Sequence, residues 1–353
     1  MPPITIFLRS HSNQAYSGLM EFGGGLFDVS FNTGMHGIWV PGRIRIGITP
    51  RGRFRYLADQ TNFYDESDES DTYDEAPGTE TSIRWRSGDV TIYGSRRTDE
   101  MTLGSGYTVT FCRGFVIYDI VDPVQFYMGT MYDGFVGLRS PPPGNTDPSD
   151  LPIWRTMMSR GLLPSSQFSL YLRYNDSDDT NGGSITFGGV DRDNYIGHHQ
   201  YFDLVQNSYE WKIHMYSVAV AGHLPQYCQK VLIDSGSKYI YGPPHIIHAI
   251  NRQICGRQVP LHGPTVLTDG ERETLSQGPD VTFNFNEDCG LTIGPADYVI
   301  FDEDEQDYTT AFRHLVFQPG EETYFVLGIP WLLRYHTIFD FRERRIGFAR
   351  SVQ

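Results

Sequence analysis

Short runs of Val, Ile, Thr, Tyr and Phe recur along most of the chain, broken by glycine, proline and Asn/Asp. Residues 91–93, 107–111, 184–187 and 281–285 are examples, and such runs predict strands joined by tight turns. Helical spacing is confined to a few stretches. Over residues 151–161 the apolar positions are Ile153, Trp154, Met157 and Met158, and Gly161 is placed to cap the segment. Residues 243–254 open on Pro243 and Pro244, which suit a first helical turn, and keep one apolar face. The pattern predicts an all-β protein with few helices.

The same pattern contains a duplication. Phe27-Asp-Val-Ser-Phe-Asn32-Thr-Gly34 is echoed by Lys230-Val-Leu-Ile-Asp234-Ser-Gly236-Ser, each an apolar strand running into an Asx-Ser/Thr-Gly turn. Downstream, each copy has an apolar pair closed by glycine: Phe135-Val136-Gly137 in the first, Val326-Leu327-Gly328 in the second. Two copies of strand-turn plus strand-glycine predict two lobes of like topology, with Asn32 and Asp234 in corresponding places.

Composition narrows the function. A length of 353 residues suits two domains, and a hydrophobic fraction of 39% is enough to pack both, which excludes global disorder. The net charge of −15, from 43 acidic against 28 basic residues, argues against nucleic acid as a partner. Only Lys212, Lys230 and Lys238 are lysines; the other cations are arginines. The longest nearly apolar run, residues 324–333, is too short for a membrane helix and is broken by Gly328 and Pro330. No transmembrane segment is expected, and the N-terminal residues lack the apolar core of a signal peptide. The acidic runs 65–75 and 302–307 read as solvated loops, because neither has the ligand spacing of a calcium-binding loop. Cys112, Cys228, Cys255 and Cys289 contain no C-x-x-C pair and leave every pairing, or none, open. His245 and His248 are spaced to share one helix face, but no third ligand is near in sequence, so no metal is expected. His198 and His199, being adjacent, cannot both point the same way on a strand.

Taken in order, these segments resemble the pepsin-like aspartic peptidases. The matching series is Phe31-Asn-Thr-Gly34 with Ile38-Trp-Val-Pro41, Tyr132-Asp-Gly-Phe-Val-Gly-Leu138, Ile185-Thr-Phe-Gly-Gly-Val-Asp191, Ile233-Asp-Ser-Gly-Ser237, Val326-Leu-Gly328 and Arg345-Ile-Gly-Phe348. The resemblance implies a bilobal all-β fold with a cleft between pseudo-twofold-related lobes. It places the N-terminal lobe over 1–189 with the first turn and the flap, and the C-terminal lobe over 190–353 with the second. It implies no cofactor and a peptide or protein as ligand. Thr33, Gly34, Gly236 and Ser237 would frame that ligand, with Trp39 supporting the flap. The family's chemistry needs two carboxylates sharing one proton: one activates a water and the other protonates the carbonyl oxygen.

The sequence departs from that pattern where the chemistry lies. The first dyad position is Asn32, an amide of carboxylic-acid size that neither takes nor gives a proton. Met35 and His36 follow where the family has hydroxyl residues. Trp85, followed by Arg86, stands in place of the flap tyrosine, and Ile329 replaces an aspartate common after the second Leu-Gly. The expected catalytic set is therefore Asp234 with Asn32 as a substituted partner. Three explanations of Asn32 stand: a natural pseudo-enzyme, an engineered inactivation, and unusual hydrolysis through Asp234 alone. The further departures at Met35, His36, Trp85 and Ile329 favour the first. The functional readings are a non-catalytic or weakly catalytic peptide- or protein-binding member, an active endopeptidase of atypical Asn/Asp dyad, and a structural or assembly component. The resemblance suggests a secreted or lumenal protein, cysteines that do not match the family's usual disulfides leave an intracellular one open, and a sequon at Asn175 matters only in the first case.

Overall fold

In the computed structural model the described residues are 2–48, 54–56, 81–84, 91–104, 106–121, 132–140, 151–174, 181–287, 289–318 and 320–353. Of these, 43–48, 54–56, 81–84, 91–96, 107, 110–121 and 223–227 are described by backbone alone. Trp85, Arg86, the acidic run 65–75 and the sequon at Asn175 lie outside the described residues, as does the side chain of Cys112.

The chain divides into two compact units, one of Met1–Phe168 with Asn175–Val190, the other of Ser169–Tyr174 with Asp191–Gln353. Strands dominate both. Ser169–Tyr174 joins the second unit for a visible reason. The Tyr171 hydroxyl donates to the Val352 carbonyl at 2.8 Å and the Tyr174 hydroxyl to that of Ala296 at 3.0 Å.

The first unit begins as a meander. Ile4–His11, Ala15–Phe22 and Gly25–Asn32 pair antiparallel in turn. Gly25–Asn32 then lies parallel to Gly134–Gly137, which pairs antiparallel with Ile38–Ile48. The path continues through Tyr107–Val121 to Thr91–Leu103, which pairs back onto Ala15–Phe22. Among the described strands the sheet therefore closes back on Ala15–Phe22. Phe27, Val29 and Phe31 all point into the core, as the alternation along their strand requires.

The second unit is built around a five-stranded sheet in the order Lys212–His214, Lys230–Ile233, Phe325–Leu327, Ile240–Gly242, Phe312–His314. Lys230–Ile233 is buried on both faces: Val231 and Ile233 on one, Leu232 with Tyr324 and Val326 on the other. An unbroken apolar run is what a strand enclosed on both sides needs. Trp331, fully buried, packs against Phe283, Phe285, Tyr335 and Phe348 and anchors the core of this unit. The helix predicted over 243–254 spans Pro244–Cys255, buries Ile246, Ile247, Ile250 and Ile254, and ends on left-handed Gly256. The other predicted helix is Ile153–Ser159.

One expectation is corrected. The acidic run 302–307 is not wholly solvated: Asp302 is buried, accepting from Arg313 Nη2 at 2.6 Å and from the Tyr239 hydroxyl at 2.8 Å. Burial alone would raise its carboxyl; these hydrogen bonds outweigh it and hold Asp302 below its ordinary range. The sequence hid this because Arg313 and Tyr239 are remote in number. Asp304 and Glu305 are exposed as expected.

Candidate functional site

The two Asx-Ser/Thr-Gly turns are built alike, one in each unit. In the first, Asn32 ends its strand opposite Gly137 and its carbonyl accepts from the Leu138 N–H at 2.8 Å. Its side-chain Oδ1 accepts from the Gly34 N–H at 2.8 Å, and the Met35 N–H closes the turn on the Asn32 carbonyl at 3.4 Å. Asn32 and Thr33 are buried, while Gly34, Met35 and His36 are half-buried. In the second turn, Asp234 follows the parallel pairing of Ile233 with Leu327, and its N–H donates to the Leu327 carbonyl at 3.1 Å. Asp234 Oδ1 accepts from the Gly236 N–H at 2.9 Å, and Oδ2 accepts from Ser237 Oγ at 2.9 Å. The Ser237 N–H closes this turn on the Asp234 carbonyl at 3.2 Å.

The duplicated glycines exist because the crossing strand passes against the turn. A Cβ at Gly137 would sit 2.4 Å from the His36 carbonyl carbon, and one at Gly328 would sit 2.1 Å from the Ser237 carbonyl oxygen. No side chain fits at either position. Trp39, fully buried, stacks on Phe135 with ring centroids 5.9 Å apart and donates Nε1–H to the His36 carbonyl at 3.3 Å. It thereby ties the residue after the first turn to the core. Ile329, where an aspartate was the alternative, is buried and donates its N–H to the Ser237 carbonyl at 2.9 Å.

The structure thus gathers Asn32, Thr33, Gly34 and Trp39 around the first turn, and Asp234, Gly236 and Ser237 around the second. Trp85 lies outside the described residues. Sequence reasoning missed Tyr241, two strand residues beyond Tyr239. Burial pushes its phenol up to about 12, with the Arg313 cation opposing the shift and the Asp234 carboxylate adding to it. It stays protonated at any ordinary pH, a hydroxyl within electrostatic reach of Asp234. No spacing rule points to it, because its place follows from strand pairing rather than from a motif.

Among the described residues no group of three or more His, Cys, Asp or Glu is arranged to hold a metal ion. His248 Nδ1–H donates to the Pro260 carbonyl, 3.4 Å away, and His245 is exposed. Cys228, Cys255 and Cys289 are free thiols.

Two parallel strand pairs, each ending in a hydrogen-bonded Asx turn, define the architecture of an aspartic peptidase. The chain matches the eukaryotic aspartyl protease family over residues 16–351 and belongs to it. It is 30% identical to mouse renin-2 over 353 residues, covering 98% of this chain and 81% of that protein. It is 28% identical to cathepsin D of Dictyostelium discoideum, covering 99% of this chain and 86% of that protein. Human cathepsin D is similar at 25% identity over 99% of this chain and 84% of its own length.

Proposed function

We propose that this protein is a pepsin-like family member that binds a peptide or protein without efficiently hydrolysing it. The observation that supports this reading is the chemistry of the two turns. Asp234 keeps a complete carboxylate environment, with a donor on each oxygen. Asn32 occupies the corresponding place with an amide whose oxygen is committed to Gly34. A dyad works by passing a proton between its members, and an amide cannot take part. Asp234 is left to order a water that no partner helps to activate. Losing one general acid/base costs on the order of 10²–10⁴ in rate, and loss within a cooperative pair costs more.

Binding survives this loss in principle, because turn geometry and glycine packing do not depend on the missing proton. The test is calorimetric titration of the unaltered protein with pepstatin, a peptide-like transition-state mimic, and with a diverse peptide pool recovered for mass analysis. The reading expects saturable binding and intact peptides. Absence of binding to every probe overturns it in favour of a structural or assembly role, and cleaved peptides overturn it in favour of an active endopeptidase.

A further inference from the structure

We propose that the His199–His336 contact is a latch that acid releases, freeing residues 196–200 from the strand Tyr335–Asp340 while both ends of that segment stay attached. The inference goes beyond the proposed function and does not rest on it. Its ground is the way the segment is held. On one side the Val352 N–H donates to the Asn194 carbonyl at 3.0 Å, and Tyr195 is in register with Ser351. On the other the Tyr201 ring lies across Gly347, where a Cβ would come within 2.6 Å of it, and the Arg345 guanidinium covers the same ring at 4.3 Å. Between Ile196 and Gln200 the pairing with Arg345–Ser351 is broken, and Gly197 has φ +79°. Ile196, Gly197, His198 and Gln200 are exposed, and only His199 turns inward. Its Nε2 lies 2.8 Å from His336 Nδ1, and the Tyr195 ring covers both imidazoles, with centroids 4.3 and 4.9 Å away. Besides this contact, Gln200 Oε1 accepts from the Cys289 thiol at 2.9 Å, a weak bond that acid does not titrate.

Two ring nitrogens at that distance need one hydrogen between them, so one ring donates and the other accepts. With both rings charged, each nitrogen would carry a hydrogen and two cations would face each other. The contact cannot survive double protonation. Its neighbours do not offset the charge. The Tyr195 and Tyr201 rings are neutral in acid. Arg192 is the cation that acts on His199, and His199 itself acts on His336. Arg350, opposite both Ile196 and Tyr335 in register, is a further cation. Asp340, on the strand that carries His336, is engaged by Arg345 at 3.1 Å. His336 Nε2 is buried without a hydrogen-bond partner among the described residues, so a proton gains nothing there. Opening the segment gives the imidazoles water, in which they charge at about pH 6.5. Proton uptake therefore pulls the latch open as pH falls.

The test is hydrogen exchange, read by mass spectrometry over residues 195–203 at pH 7 and pH 5 and corrected for intrinsic rates. It is run with and without urea below the unfolding transition. Exchange is expected to speed up at least about tenfold between the two pH values, and to be insensitive to urea, as a local opening is. His199→Phe/His336→Leu is expected to change by less than about twofold. His199→Phe alone, which leaves the fully buried His336 in place, is expected to show a pH effect at least about threefold smaller than the unaltered chain. A pH effect of the same size in the unaltered chain and in His199→Phe overturns the inference, as does a rate that does not rise in acid. Exchange of residues 195–203 that follows urea with the slope of global unfolding also overturns it, because the segment then has no opening of its own.

Discussion

Asn32 and Gly137 illustrate how little freedom the first turn has. The amide accepts from Gly34, and the strand opposite runs so close that any Cβ at 137 would collide with backbone. The same holds for Gly328 against Ser237. Gly137→Ala and Gly328→Ala are each expected to destabilise the protein by ~3 kcal/mol, read from urea unfolding, because backbone rather than a flexible side chain must yield. Gly24→Ala serves as the contrast, since a Cβ there meets nothing within 4 Å but φ is +80°, and about 1 kcal/mol is expected. These residues were legible in the sequence because both copies of the motif end in glycine. Tyr241 and the Asp302–Arg313 pair were not, since their partners come from strands distant in number.

At the scale of elements, the strand Tyr195–Asp203 shows what alternation alone cannot reveal. Its pairing with Arg345–Ser351 is interrupted between Ile196 and Gln200, and Gly197 within that interruption has φ +79°. A bulge of this kind re-aims a side chain. Here it sends His199 toward the strand Tyr335–Asp340, where His199 Nε2 lies 2.8 Å from His336 Nδ1, while His198 remains exposed. Burial drives His199 down to about 4 and His336 to about 3, with Arg192 adding to the first and His199 to the second. Both are neutral in the fold. On acidification the unfolded chain takes up protons first, near pH 6.5, and the folded chain does not until about 4. The pair's contribution to stability is therefore full above pH 6.5 and declines as pH falls toward 4. A loss of about 3 kcal/mol from each histidine over that interval is expected from urea midpoints, and His199→Phe/His336→Leu should reduce the decline. An unchanged slope in that variant would remove the pair from the account. The sequence announced that adjacent histidines must diverge, but the bulge and its partner required the sheet.

Across the whole molecule, the duplicated strand-turn and strand-glycine pattern carried the fold, because each copy is a local arrangement of neighbouring residues. The charge takes on more detail. The three lysines are each paired, Lys212 with Glu210, Lys230 with Glu322 and Lys238 with Asp304, so the excess acidity rests on a surface served by arginine. The cysteines likewise depend on three dimensions. Cys228, Cys255 and Cys289 are unpaired, and burial raises all three thiols, that of Cys255 to about 11. Alkylation without reductant should label at least these three after denaturation and label them slowly in the folded protein, as peptide mass mapping would read. A disulfide among them would contradict the structure.

The central claim is that one half of the dyad lacks a proton carrier. It is tested most directly by incubating the unaltered protein, Asn32→Asp and Asp234→Asn with one peptide pool from pH 2 to 8. The account predicts no cleavage above background by the unaltered chain and by Asp234→Asn, with acid-dependent cleavage arising only when residue 32 is a carboxylate. Cleavage by the unaltered chain that vanishes in Asp234→Asn would contradict it.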